Sequence, residues 1–166
     1  FESASVALRP RNGPSAVGRL VRPHLVHQLR HGILDGYRRV ELAGGELLLD
    51  ERWPKVVGLA RDLGFGEVVV ETNGRMLNLP GTLRQLVKLG LHGVVVRLNS
   101  GDEAVHDEMA RVRGAFRQSV RGILQLRKHG VPFWLRIVEH PMNLDSIRAG
   151  EELADKLGAR GLEIIS

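Results

Sequence analysis

Arg39-Val-Glu-Leu-Ala-Gly-Gly-Glu46 is the stretch on which the reading of this chain turns. It begins as a strand, breaks at two adjacent glycines where the backbone must turn, and closes on a carboxylate. The same arrangement of apolar strand followed by polar loop recurs downstream. Glu67-Val-Val-Val-Glu71 runs into Thr72-Asn-Gly74, and His92-Gly-Val-Val-Val-Arg-Leu98 runs into Asn99-Ser-Gly-Asp-Glu103. Pro132-Phe-Trp-Leu-Arg-Ile-Val138 precedes Glu139 to Asn143, and Gly161-Leu-Glu-Ile-Ile165 is a last strand. Upstream, Ser5-Val-Ala-Leu-Arg-Pro10 is a short strand candidate that leads into a Gly-, Pro-, Ser- and Asn-rich loop from Arg11 to Gly18.

Between the strands the apolar period becomes helical. Leu25, Val26, Leu29 and Ile33 predict a helix within Val21 to Gly36. Pro54 suits a first helical turn, and Val56, Val57, Leu59, Ala60 and Leu63 predict a short helix closed by Gly64. Leu83, Leu86, Val87 and Leu89 predict another, stopped at Gly90, and Phe116, Val120, Ile123 and Leu124 predict a long one from Ala115 to Lys128. Asp145 is the expected cap of a final helix through Leu157. Strands of near-continuous Val, Leu and Ile separated by helices demand a parallel sheet covered by those helices. Six strands with five helices and right-handed crossovers build either an open doubly wound sheet or an incomplete barrel. In both, ligands meet the carboxyl ends of the strands, so the residues to weigh are Glu46, Thr72, Asn73, Asn99 to Glu103, and Glu139 to Asn143.

Composition bounds the function. With 166 residues, 43% of them hydrophobic, the chain is expected to form a single domain over residues 1–166. It opens on Phe1 and stops at a strand edge, which is the expectation for a piece of a longer chain. No apolar run is long enough to span a membrane, and a cytoplasmic location is expected. There is no cysteine, which removes disulfides, thiolate nucleophiles and sulfur-held metal or iron–sulfur sites from these residues. The net charge is +5, and the twenty arginines among 24 basic residues are spread along the chain with only 4% aromatic residues interleaved. That pattern describes an Arg-preferring surface, and nucleic acid is not the expected partner. Arg111, Arg113, Arg117, Arg121 and Lys128 form a basic stripe beside the long helix; Arg113, Arg117 and Arg121 are the candidate contacts for an acidic protein or peptide. His24, His27 and His31 share a helical face opposite Leu25, Leu29 and Ile33, where solvent rather than a metal is the expected neighbour. Glu41 and Glu71 fall inside strands, and Arg97 and Arg136 are their candidate partners in a barrel interior.

Val40-Glu-Leu-Ala-Gly-Gly-Glu46, Val70-Glu-Thr-Asn-Gly74, Val96-Arg-Leu-Asn-Ser-Gly-Asp102 with His106-Asp107 and Gly114-Ala-Phe116, and Leu135-Arg-Ile-Val138 with Asn143 resemble, in order, the landmarks of the radical S-adenosylmethionine (SAM) superfamily. The resemblance covers Ser5 to Ser166 and implies a six-stranded parallel partial (β/α) barrel. It also implies that Gly44, Gly45 and Glu46 would hold the amino group of SAM. Ser100 and Asp102, after the fourth strand, would contact its ribose or carboxylate, with Asn73 as further polar lining.

The chain departs from the family where its chemistry begins. Members resemble one another in a loop after the first strand whose three cysteines hold a [4Fe–4S] cluster. Aligned on Asn12, those slots fall to Arg11, Ser15 and Gly18, none of which replaces a thiolate. Leu47 stands where the family often has Pro. The expectation is therefore a non-catalytic, cluster-less domain that binds or scaffolds a protein or peptide. The alternatives are a sensor that binds SAM or a nucleotide without cleaving it, and a non-radical enzyme using Glu46, Asp102 or Glu139. The exposed edge of a partial barrel needs a cover, from a C-terminal domain or another chain.

Overall fold

The computed structural model describes residues 3–7 and 23–166. Six parallel strands form one sheet in the order β1 (Ser3–Ala7), β2 (Arg39–Ala43), β3 (Glu67–Thr72), β4 (Gly93–Leu98), β5 (Phe133–Val138) and β6 (Leu162–Ile165). A doubly wound sheet reverses its strand order at a switch point. Sequential order with no reversal excludes that alternative, and the sheet is a half-barrel.

The helices lie where the periodicity predicts them: α1 (Pro23–Leu34), α2 (Trp53–Asp62), α3 (Pro80–Lys88), α5 (Ala115–Lys128) and α6 (Ile147–Leu157). Two details differ from the sequence reading. A further helix, α4 (Glu103–Ala110), precedes α5, because Asp102 caps it by accepting from Val105 N at 3.0 Å. Asp145 does not cap α6: it lies in a 3-10 turn, Leu144–Ser146, and Ser146 precedes the helix without a side-chain cap bond.

Strand residues alternate between two faces. Val40, Leu42, Val68, Val70, Val94, Val96, Leu98, Phe133, Leu135 and Ile137 pack outward into the core beneath the helices, with Leu25, Leu29, Val57, Leu86, Ile123 and Leu126. The alternate positions, Glu41, Glu71, Arg97, Arg136 and Glu163, turn to the inner face and meet there. The Arg136 guanidinium is gripped by both oxygens of Glu41, by Glu71, and by Glu163 at 2.8 Å from Nε. Glu71 also accepts from Arg97 Nη1 at 3.3 Å. In a flat sheet β2 and β5 stand three spacings, about 14 Å, apart; direct contact between Glu41 and Arg136 reflects the curl of the sheet. At β6, Ile164 and Ile165 are exposed. Among the described residues no helix is long and apolar enough to cross a membrane.

Candidate site at the carboxyl ends of the strands

The loop after β2 needs its glycines for backbone reasons. Gly44 and Gly45 have φ of 111° and 59°, in the left-handed region. A side chain at Gly45 would meet nothing within 4 Å, so conformation and not space restricts that position. The turn delivers Glu46 to the mouth of β3. One carboxylate oxygen accepts from Thr72 Oγ1 at 2.7 Å and from Leu48 N at 3.3 Å, and the other accepts from Asn73 N at 2.8 Å. Glu46 thus ties two strand ends together. Leu47, beside it, is buried in the core.

The other strand-end residues are tied in the same way. Asn73 Oδ1 accepts from Arg75 N, and its carbonyl accepts from Ser119 Oγ at 2.7 Å. Ser100, 1% exposed, pairs with Ser146 Oγ at 2.6 Å and accepts from Asp102 N at 2.9 Å. Asn143 is completely buried; its amide donates to Asn99 O and Val138 O while its oxygen accepts from His140 N. It links the ends of β4 and β5. Sequence reasoning missed Ser119, on α5, and Ser146, in the turn before α6, because an isolated serine carries no periodic signal. It also missed Glu163, although strand parity with Arg136 would have found it.

His106 and Asp107 do structural chemistry. Burial holds the His106 imidazole below its ordinary pKa, and Nδ1 accepts from Asn99 N, which leaves the proton on Nε2. Its ring meets the edge of Phe116. Asp107 reaches past the end of α4 to accept from Phe116 N at 2.8 Å and from Gly114 N, capping α5 from a neighbouring helix. Those backbone donors, Phe116 first, hold the Asp107 carboxyl below its ordinary value of 3.8. A depressed acid contributes stability above that value and loses it as pH falls through the lower, folded-state value. Asp107→Ala is therefore expected to destabilise the protein at neutral pH, and the gap from wild type should narrow below about pH 4. Urea titrations at several pH values measure it. A gap that stays constant into strong acid would contradict the capping role.

The basic stripe is exposed at Arg111, Arg113, Arg117, Arg121 and Lys128, with Arg117 paired to Glu103 at 2.7 Å. Arg111 ends α4 with a positive φ of 53°. The slots at Arg11, Ser15 and Gly18 lie outside the described residues.

Residues 18–154 match the model of the radical SAM superfamily. This chain belongs to that superfamily. It is 35% identical over 121 residues to an AdoMet-dependent heme synthase of Methanosarcina barkeri (strain Fusaro / DSM 804), spanning 71% of this chain and 33% of that protein. The chain thus spans about a third of the length of this curated relative. Among solved structures, Streptococcus suis SuiB bound to S-adenosylmethionine superposes with a TM-score of 0.73 at 14% identity, over 98% of this chain and 38% of that one. SuiB bound to its precursor peptide SuiA superposes at 0.70 and 17% identity, over 88% and 33%. These likenesses confirm the half-barrel. The residues do not fit the superfamily's cluster: with no cysteine, none of the chain's own side chains offers a thiolate to iron.

Proposed function

We propose that this chain is a cluster-less radical SAM-like domain that binds a peptide or protein partner instead of catalysing radical chemistry, taking that partner at the carboxyl ends of the strands in the cytoplasm. The observation that carries this reading is complete loss of cysteine in a chain that keeps the superfamily fold and its strand-end loops. The inner face supports it. Where a substrate would meet the barrel, Glu41, Glu71, Glu163, Arg97 and Arg136 satisfy one another. The precursor peptide held by SuiB supports a peptide as the class of partner. Arg113, Arg117 and Arg121 offer a second contact surface for an acidic segment.

One observation favours a second reading, a domain that binds SAM or a related nucleotide without cleaving it. Gly44, Gly45, Glu46, Asn73, Ser100 and Asp102 all stand at the strand ends, as the superfamily's SAM-contacting positions do. Against it, Glu46 already bonds Thr72, Leu48 and Asn73, and Asp102 caps α4.

Titration calorimetry with SAM and with S-adenosylhomocysteine separates the two, beside a Glu46→Ala variant checked for folding by circular dichroism. No saturable heat is expected up to millimolar ligand. Saturable binding that Glu46→Ala abolishes would give the second reading the lead.

A further inference from the structure

We propose that α1 carries a site for a borderline divalent transition metal such as zinc or nickel, with His27 and His31 as its two protein ligands. The two histidines are one turn apart on the exposed face of the helix, and Leu25 and Leu29 occupy the buried one. Their Nε2 atoms stand 3.1 Å apart, and their rings lie 4.2 Å centre to centre with 38° between planes. Without metal, that approach is a hydrogen bond in which one Nε2–H donates to the lone pair of the other Nε2. For metal binding the donating imidazole shifts its proton to Nδ1 by exchange with solvent, and a cation then receives one lone pair from each Nε2.

The spacing suits one ion. With zinc–nitrogen distances of about 2.05 Å, the 3.1 Å separation sets an N–metal–N angle of about 98°, between octahedral and tetrahedral geometry. Imidazole nitrogen is a ligand type that zinc, nickel and copper accept, whereas magnesium and calcium prefer oxygen. A second observation points the same way. His31 lies in the last turn of α1, the negative end of the helix dipole, which favours positive charge. Among the described residues no third His, Cys, Asp or Glu joins the pair; water would complete the coordination. The absence of cysteine from the whole chain means that no internal thiolate competes for the ion. This site is separate from the strand ends and does not rest on the peptide-binding reading.

The test is calorimetric titration of the chelator-treated protein with zinc chloride and, separately, nickel chloride in a non-coordinating buffer near neutral pH. One equivalent should bind. On a His24→Ala background, which removes the third histidine of that helical face, His27→Ala and His31→Ala should each weaken binding about tenfold or more, since a lone imidazole has no chelate advantage. Both side chains are exposed, so neither variant threatens the fold. A respaced variant, Leu34→His combined with His31→Ala on the same background, keeps the number of histidines and places the second imidazole about 10 Å along the helix from His27, too far for one ion to bridge; position 34 is exposed, and the variant should bind as weakly as His31→Ala. Wild-type affinity in that respaced variant, or in the double variant His27→Ala/His31→Ala, overturns the proposal.

Discussion

Arg136→Met is expected to lower the unfolding free energy by about 3–5 kcal/mol, the loss typical of removing one partner from a buried ion pair. Arg136 is 9% exposed and sits on β5 where carboxylates from β2, β3 and β6 converge on it. The contacts to Glu41, Glu71 and Glu163 raise its pKa, the Glu41 hydrogen bond most, so it stays charged at every accessible pH. Methionine keeps much of the volume and removes the charge. Among the described residues it leaves Glu41 and Glu71 buried on the inner face with Arg97 as the remaining cationic partner, bonded to Glu71 at 3.3 Å. A domain's whole stability is of order 5–15 kcal/mol, so the variant should be close to its folding threshold. Urea denaturation gives the measurement. The double variant Arg136→Met/Glu41→Leu should recover part of the loss, because it removes an orphaned carboxylate along with its partner. A single-variant loss below about 1 kcal/mol would mean that the network behaves as a solvated surface pair.

The same network shows how much of the molecule the sequence reveals. Glu41, Glu71, Arg97 and Arg136 are legible because each interrupts a run of Val, Leu and Ile at a position whose parity faces the interior, and an interior charge requires a partner. The βα alternation leaves a doubly wound sheet and a half-barrel both open; the resemblance carried by the ordered landmarks from Gly44-Gly45-Glu46 to Asn143 implies the half-barrel that the structure contains. Helix α4 is not legible, because the apolar residues of Glu103-Ala-Val-His-Asp-Glu-Met-Ala110, namely Ala104, Val105, Met109 and Ala110, are not buried and its one buried residue is His106; its start is set by Asp102. The strand-end site was legible as residues and not as bonds. Glu46 is recognisable at the end of its turn, yet its engagement with Thr72 and Asn73 depends on the approach of β2 to β3 across 26 and 27 residues of chain. That long-range juxtaposition converts an expected ligand contact into a brace between loops.

Gly101→Ala is expected to be the most damaging single-methyl change at the strand ends, at about 3 kcal/mol, the upper part of the range for overpacking. The loop after β4 passes so close to α6 that a Cβ at position 101 would lie 2.2 Å from both Ala149 C and Gly150 N, and 2.4 Å from Ala149 O. These are backbone atoms with no rotamer to yield, so either the loop or the first turns of α6 must move. Movement of either strains the Ser100–Ser146 hydrogen bond at 2.6 Å and the Asn143 amide bond to Asn99 O, also 2.6 Å. The cost is thus compounded by unpaired polar groups at two buried residues, Ser100 and Asn143. For a domain of this size the melting temperature should fall by roughly 6–12 °C. Gly58→Ala is the matched control: it lies inside α2, a Cβ there meets nothing within 4 Å, and alanine should stabilise the helix by about 0.5–1 kcal/mol. Opposite signs for the same added methyl would locate the effect in the approach of loop to helix. A Gly101→Ala protein that melts within about 2 °C of wild type, less than even a 1 kcal/mol loss would give, would show that this approach is looser than the backbone distances require.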